Sequence, residues 1–194
     1  MQEHKSMAIV GIGGAGCRAV PYFRQQGLAN ATFLCLDSDY DILEQCTGCT
    51  TVQLRKCGEE TIHADQEIME NQDKIVAALG KPSLVYVLAG MGGHMASVGI
   101  AHLCRIAREQ GAYVAACVTT PFTFEGGRRR QMTSAGLADL RPVAHHVSVC
   151  DLNTLLRAPQ EARANFAELM GAYNQYAYHV LQALLASADQ DVTA

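Results

Sequence analysis

Two uninterrupted apolar runs, Ser83–Ala89 and Ala112–Val118, constrain the fold of this 194-residue chain more than any other feature. A strand that faces water on one side alternates polar and apolar residues. A run without alternation is buried on both faces, as in a parallel sheet covered above and below by helices. Four further segments read as strands: Met7–Val10, Ala31–Asp37, the weaker Thr51–Leu54, and His146–Cys150. Between them lie helical stretches. One runs from Gly16 to about Gln26, one over Asp39–Cys46, and one over Ala96–Gln110 with Ile100, Leu103, Cys104 and Ala107 on one face. Thr61–Leu79 has helical spacing at Ile68, Met69, Ile75, Val76 and Leu79, broken at Gln72 and stopped by Gly80-Lys-Pro82. Strands each followed by a helix predict an α/β chain, three-layered and doubly wound about a mostly parallel sheet.

Composition narrows the class. Hydrophobic residues make up 49% and charged residues 18%, which excludes a disordered chain. No apolar run approaches the ~20 residues of a membrane span, and Met1-Gln-Glu-His-Lys-Ser6 lacks an apolar signal region, so the expectation is cytoplasmic, with no membrane partner. A net charge of −4, 6% aromatic residues and no Trp argue against a nucleic-acid partner. One domain is expected over 1–194, with 1–6 and 187–194 as flexible tails.

The last helical segment, Glu161 to Ala186, carries an apolar stripe through Phe166, Leu169, Met170, Tyr173, Ala177, Val180, Leu181, Leu184 and Leu185. About 26 residues give roughly 39 Å of helix, longer than a single-domain sheet needs. Tyr176, Tyr178 and Ala172 lie off the stripe. Either part of this helix receives a partner or its tyrosines are exposed over ordinary packing. The first reading predicts at least a dimer, weakened by Tyr176→Asp or Tyr178→Asp.

Three loops follow strands. Gly11-Ile-Gly13-Gly14-Ala-Gly16 matches the G-x-G-x-x-G turn that brings backbone amides to a phosphate at a helix N-terminus, and Asp37 ends the next strand. Alone this reads as a dinucleotide phosphate turn, with Asp37 on a ribose, or as a glycine-rich packing turn. Ala89-Gly-Met-Gly-Gly93 is a second glycine turn on a neighbouring strand, and two such turns argue for a nucleotide held between loops. Thr120-Pro-Phe-Thr-Phe-Glu-Gly-Gly-Arg-Arg-Arg130 is the third. It adds an acceptor, Glu125, and a basic run read as loop, which is either solvated or an anion clamp.

In this order the loops resemble the nucleotide domain of the FtsZ/tubulin superfamily, a Rossmann-like fold. Val10–Gly16 resembles its first phosphate loop, Leu36-Asp-Ser-Asp39 its second loop, Leu88–Gly93 the start of its glycine signature, and Val118–Gly126 its sugar loop. Asn174 falls where the family reads guanine, on a helix resembling the one that joins its two domains. The resemblance spans about residues 7 to 186 and implies a GTP or GDP site built from Gly13, Gly14, Gly16, Arg18, Asp39, Gly90, Met91, Gly92, Gly93, Glu125, Arg129 and Asn174.

The departures imply a degenerate site. His94-Met-Ala-Ser-Val98 stands where the signature continues in glycine and threonine, and His94 and Met95 are expected to intrude on the phosphates. Cys17 and Arg18 replace a glycine and an asparagine, Gly58–His63 is acidic where the family is glycine-rich, Asp151-Leu-Asn153 loses the family's order, and Gln175 replaces an acid. The family's second domain and its water-orienting acidic loop are expected to be absent, and Asp189 and Asp191 do not reproduce that loop. The resulting expectation has no catalytic residue. It is a protein that binds or assembles, with itself, an FtsZ-like relative or another protein through the long helix, rather than turning GTP over. The alternatives are a slow GTPase and a dinucleotide-binding protein.

Eight cysteines in a chain without an export signal read mostly as small buried hydrophobes. Cys46-Thr-Gly-Cys49, with Cys57 downstream, is the exception. It is a redox pair, half of a zinc site, or inert. His145-His146 near Cys150 point to opposite faces of a strand, so no metal site is expected.

Overall fold

The computed structural model describes residues 6–55, 63–156 and 165–190. In chain order the elements are β1 (Met7–Ile12), α1 (Gly13–Gln25), β2 (Ala31–Asp37), α2 (Tyr40–Gln45), β3 (Thr50–Gln53), α3 (Ala64–Glu70), α4 (Gln72–Leu79) and β4 (Leu84–Gly90). They continue with α5 (His94–Glu109), β5 (Tyr113–Thr120), α6 (Gly127–Leu140), β6 (His146–Asp151), α7 (Leu152–Leu156) and α8 (Phe166–Gln190). The six strands form one sheet in the order β3-β2-β1-β4-β5-β6, and every pairing is parallel.

Each central strand feeds two cores, which is why its sequence does not alternate. On β1, Ala8, Val10 and Ile12 face α3, α4, α5 and α6 through Ile68, Ile75, Ile100, Leu103 and Leu140. Met7 and Ile9 face the other side, with Val20 and Phe23 of α1, Leu43 of α2, and Tyr173, Ala177 and Leu181 of α8. Two buried hydroxyls fasten α8 to the sheet: Tyr86 donates to Ala177 O at 2.7 Å and Tyr173 donates to Cys117 O at 2.8 Å. Burial holds both phenols far above the ordinary tyrosine range, so they remain donors. Among the described residues, no helix is long and apolar enough to cross a membrane.

Several boundaries differ from the sequence reading. Helix α1 begins at Gly13 rather than Gly16. The stretch to Leu79 divides at Asn71, beside the break at Gln72, into α3 and α4. The basic run Arg128–Arg130, read as loop, is the first turn of α6. Helix α8 starts at Phe166 and continues to Gln190, into the segment read as a tail. Tyr178 is half-buried, its ring edge-on to Tyr22 and Phe23 with centroids 6.2 and 5.8 Å away. It therefore packs within the chain, whereas Tyr176 is the more exposed of the two tyrosines.

Candidate functional site

Strand order reverses at the β1–β4 pair, and in an open parallel sheet the crevice outside the carboxyl ends of such strands is where ligands bind. Strand β1 passes directly into α1 through Gly13, whose φ is +72°, a conformation that favours glycine. Two other glycines seat α1 on the sheet. A Cβ on Gly11 would lie 2.5 Å from Gly16 O, and one on Gly16 would lie 2.1 Å from Leu88 O. These glycines are required by packing.

Strand β4 ends at Gly90, where a Cβ would stand 2.7 Å from Ala15 Cβ. Gly92 (φ +98°) donates its amide to Ser97 Oγ at 2.8 Å, and Gly93 is the N-cap of α5. A Cβ on Gly13 would be 3.2 Å from Ala96 Cβ, so the N-termini of α1 and α5 stand side by side. Neither carries a side-chain cap. The first amides of a helix have no partner within it, and the helix dipole adds partial positive charge at that end. Two adjacent uncapped N-termini give the crevice the polarity that favours an anion. Nothing stands within 4 Å of a Cβ placed on Gly93, so that wall of the crevice is open.

Gly14 forms the opposite wall. A Cβ there would meet Arg18 Nη1 and Ile42 Cδ1, both at 3.0 Å, with Asp37 Oδ2 at 3.9 Å. Asp37 is 5% exposed. Its Oδ1 accepts from Asp39 N at 3.0 Å, and its Oδ2 is buried without a partner. Burial pushes its carboxyl above the ordinary value, opposed by the amides of Asp39 and Ser38 and by the Arg18 charge. This buried acid does not present itself to a ribose as the dinucleotide reading requires. Asp39 is exposed and caps α2 by accepting from Asp41 N at 3.0 Å.

The β5 rim is braced. Glu125 Oε1 accepts from Phe122 N and Oε2 from Arg129 Nη1, each at 2.7 Å, in a 3-10 turn over Thr123–Glu125. The Arg129 backbone packs against Gly92. Asn153 accepts from Thr123 N at 2.8 Å and donates to Pro121 O at 3.2 Å, while Thr120 Oγ1 donates to Asp151 Oδ1 at 3.0 Å. Sequence reasoning treated Asp151 and Asn153 only as a lost motif. Their signal was the short polar pair immediately after a strand end.

Two expectations are corrected. Met91 does not reach the crevice: its side chain is buried in the α5–α6 core and its amide is taken by Thr119 O at 2.9 Å. Met95 does not intrude on the phosphate space, because it is 8% exposed and packs in the same core. His94 opens α5, half-buried, with its ring centroid 6.5 Å from that of His63. Asn174 is half-buried on α8, next to the sheet-bound Tyr173. His145 accepts from Val114 N and His146 is engaged with Ser148, both at 2.9 Å. Among the described residues no group of three or more His, Cys, Asp or Glu is placed to hold a metal. Most of the acidic segment 58–63, together with Cys57 and Asp191, lies outside the described residues.

Residues 6–160 match the Tubulin/FtsZ family, GTPase domain, and the chain belongs to that family. It is 32% identical over 160 residues to the cell division protein FtsZ of Haloferax mediterranei, covering 79% of this chain and 42% of the relative. It is 30% identical over 173 residues to that of Rickettsia typhi, covering 84% and 37%. The fold is similar to the empty FtsZ dimer of M. jannaschii, with a TM-score of 0.82, 20% identity, and 95% of this chain and 55% of that one covered. It is also similar to CetZ2 of Haloferax volcanii in a GTPγS-bound protofilament, with a TM-score of 0.75, 19% identity, and coverage of 94% and 58%. The chain spans about two fifths of the length of these curated relatives.

Proposed function

We propose that this FtsZ-like domain holds the phosphates of GTP or GDP between the N-termini of α1 and α5, and that it acts by binding and assembly rather than turnover. The observation that carries the reading is the pair of uncapped helix N-termini packed side by side, so close that a Cβ on Gly13 would lie 3.2 Å from Ala96 Cβ. Membership of a GTPase family supports a guanine nucleotide over other anions. Arg18 adds positive charge at the Gly14 wall.

The acids around the crevice are committed elsewhere, which disfavours turnover. Hydrolysis needs a group that orients the attacking water. Asp37 is buried, Asp39 caps α2 and Glu125 is ion-paired to Arg129, so each already has a structural task. Assembly is assigned to α8, where Phe166 is 61% and Tyr176 39% exposed.

Calorimetric titration with GTP and GDP, with phosphate release followed in parallel, tests the reading. Saturable binding of both nucleotides without release supports it. Absence of binding at millimolar nucleotide removes the nucleotide, and release at the rate of a bacterial FtsZ run alongside restores a GTPase.

A further inference from the structure

Two patches of opposite charge flank the crevice at the carboxyl edge of the sheet. From Asp37 to Leu54 the chain holds four acids and no Lys or Arg. Asp39, Asp41 and Glu44 are exposed on and just before α2, and Tyr40 among them is 59% exposed. On the other side of the crevice, the turn after β5 presents Phe124, 77% exposed and stacked on the buried Phe122 with ring centroids 5.0 Å apart. Arg128, Arg129 and Arg130 follow in the first turn of α6, which holds no acid.

These arginines work against their own helix. The N-terminus of a helix carries partial positive charge, so cations in the first turn are unfavourable there. Arg129 is compensated by Glu125. Among the described residues Arg128 and Arg130 have no acid within ion-pair distance, and Asp39, Asp41 and Glu44 have no base. Aromatic side chains and Arg are the types that protein interfaces favour. Strands β2 and β5, which lead into the two patches, stand symmetrically about the central β1–β4 pair, three strand spacings or about 14 Å apart. Helix α2 packs on one face of the sheet through Leu43 and α6 on the other through Leu140, so the patches lie diagonally across the edge.

We propose that this edge is a contact between two copies of the chain. They are related by a two-fold axis that lies in the edge, midway between the patches and perpendicular to the line joining them. Rotation about that axis lays α2 of each protomer against the first turn of α6 of its partner. Acids meet arginines twice, and Tyr40 and Phe124 of one protomer are covered by Phe124 and Tyr40 of its partner. Rotation about the joining line itself would set acid against acid and arginine against arginine, so charge selects the first arrangement. The contact is closed, because each protomer uses both of its patches within one pair, and association stops at the dimer. It involves neither α8 nor a bound nucleotide.

The test is sedimentation, without nucleotide and at tens of micromolar, of the full chain carrying Tyr176→Asp, which silences the α8 surface. The expected result for this parent is a dimer at low salt whose dissociation constant rises about tenfold or more when high salt screens the charges. Adding Arg128→Glu and Arg130→Glu turns both contacts into acid on acid and gives monomers. Adding Asp41→Arg and Glu44→Arg instead gives monomers by the opposite repulsion. An equal mixture of the two variants makes both contacts attractive again and returns to dimers. A monomeric parent at low salt, a dimer indifferent to salt and charge reversal, particles larger than a dimer, or a mixture that stays monomeric overturns the proposal. The salt dependence of the parent decides it even where a variant fails to fold.

Discussion

Gly13 and Ala96 stand so close that a Cβ on the glycine would lie 3.2 Å from that of the alanine. This contact brings the first turns of α1 and α5 together at the point where the strand order reverses. An anion at that junction faces two sets of unpartnered amides and two helix dipoles. The glycines around it separate by function. Some are fixed by packing against backbone, while others line open space.

Gly16→Ala and Gly93→Ala therefore fail in different ways. The first drives a Cβ to 2.1 Å from Leu88 O, and a loss of ~3 kcal/mol or more is expected, read as a collapsed urea midpoint. The second meets nothing within 4 Å at a φ of −86°, so stability holds within about 0.5 kcal/mol. Its methyl group enters the crevice, and nucleotide affinity falls about tenfold, a difference of ~1.4 kcal/mol. Equal stability losses in the two variants would contradict this division.

Asp37→Asn is expected to stabilise the protein at pH 7 by about 1 kcal/mol, because Asp37 keeps a buried carboxylate oxygen without a partner. Burial raises its folded-state pKa above the ordinary 3.8. The wild type therefore loses stability as pH rises from that value through the folded pKa, while the asparagine variant does not. The gain should shrink towards zero as pH falls to 3.8 or below. A gain independent of pH in denaturation curves would place its origin elsewhere.

Tyr176 and Tyr178 are two residues apart on α8 but have different tasks. Tyr178→Asp puts a charge against Tyr22 and Phe23, and a cost of ~2 kcal/mol or more is expected in thermal denaturation. Tyr176 is 39% exposed, so Tyr176→Asp leaves folding nearly intact and weakens self-association in sedimentation. A monomeric wild type at tens of micromolar would remove the assembly role of α8.

Tyr173→Phe and Tyr86→Phe each delete a buried hydroxyl that holds α8 to the sheet. A loss of about 1 kcal/mol apiece is expected. Faster amide exchange along α8, with the central strands still protected, would show that the anchor is local. Unchanged exchange in α8 would show that the hydroxyls do not anchor it.

The strands were legible because burial on both faces removes polar residues from Leu84–Ala89 and Val114–Val118. The stripe on α8 was legible for the same reason: Leu169, Tyr173, Ala177 and Leu181 are all buried. Helix α1 was read as starting late because Gly13 and Gly14 are poor helix formers, and tertiary contact with Ala96 overrides that preference. Helix α6 was missed because it buries little, with only Thr133, Gly136 and Leu140 fully buried and three arginines in its first turn. Within the site, glycine spacing marked the cradle. Contacts between distant segments, such as Thr123 N with Asn153 Oδ1 on the β5 rim, carry no local pattern. Met91 and Met95 were misassigned because a glycine-rich turn does not reveal which residues turn inward.

The central claim is a site that holds nucleotide and leaves it whole. Its most direct measurement adds GTP to the purified chain and follows bound nucleotide and released phosphate in one sample, with a bacterial FtsZ run beside it. Saturable binding with no phosphate above the protein-free control is the predicted result. Phosphate release at the rate of the reference protein would contradict the account.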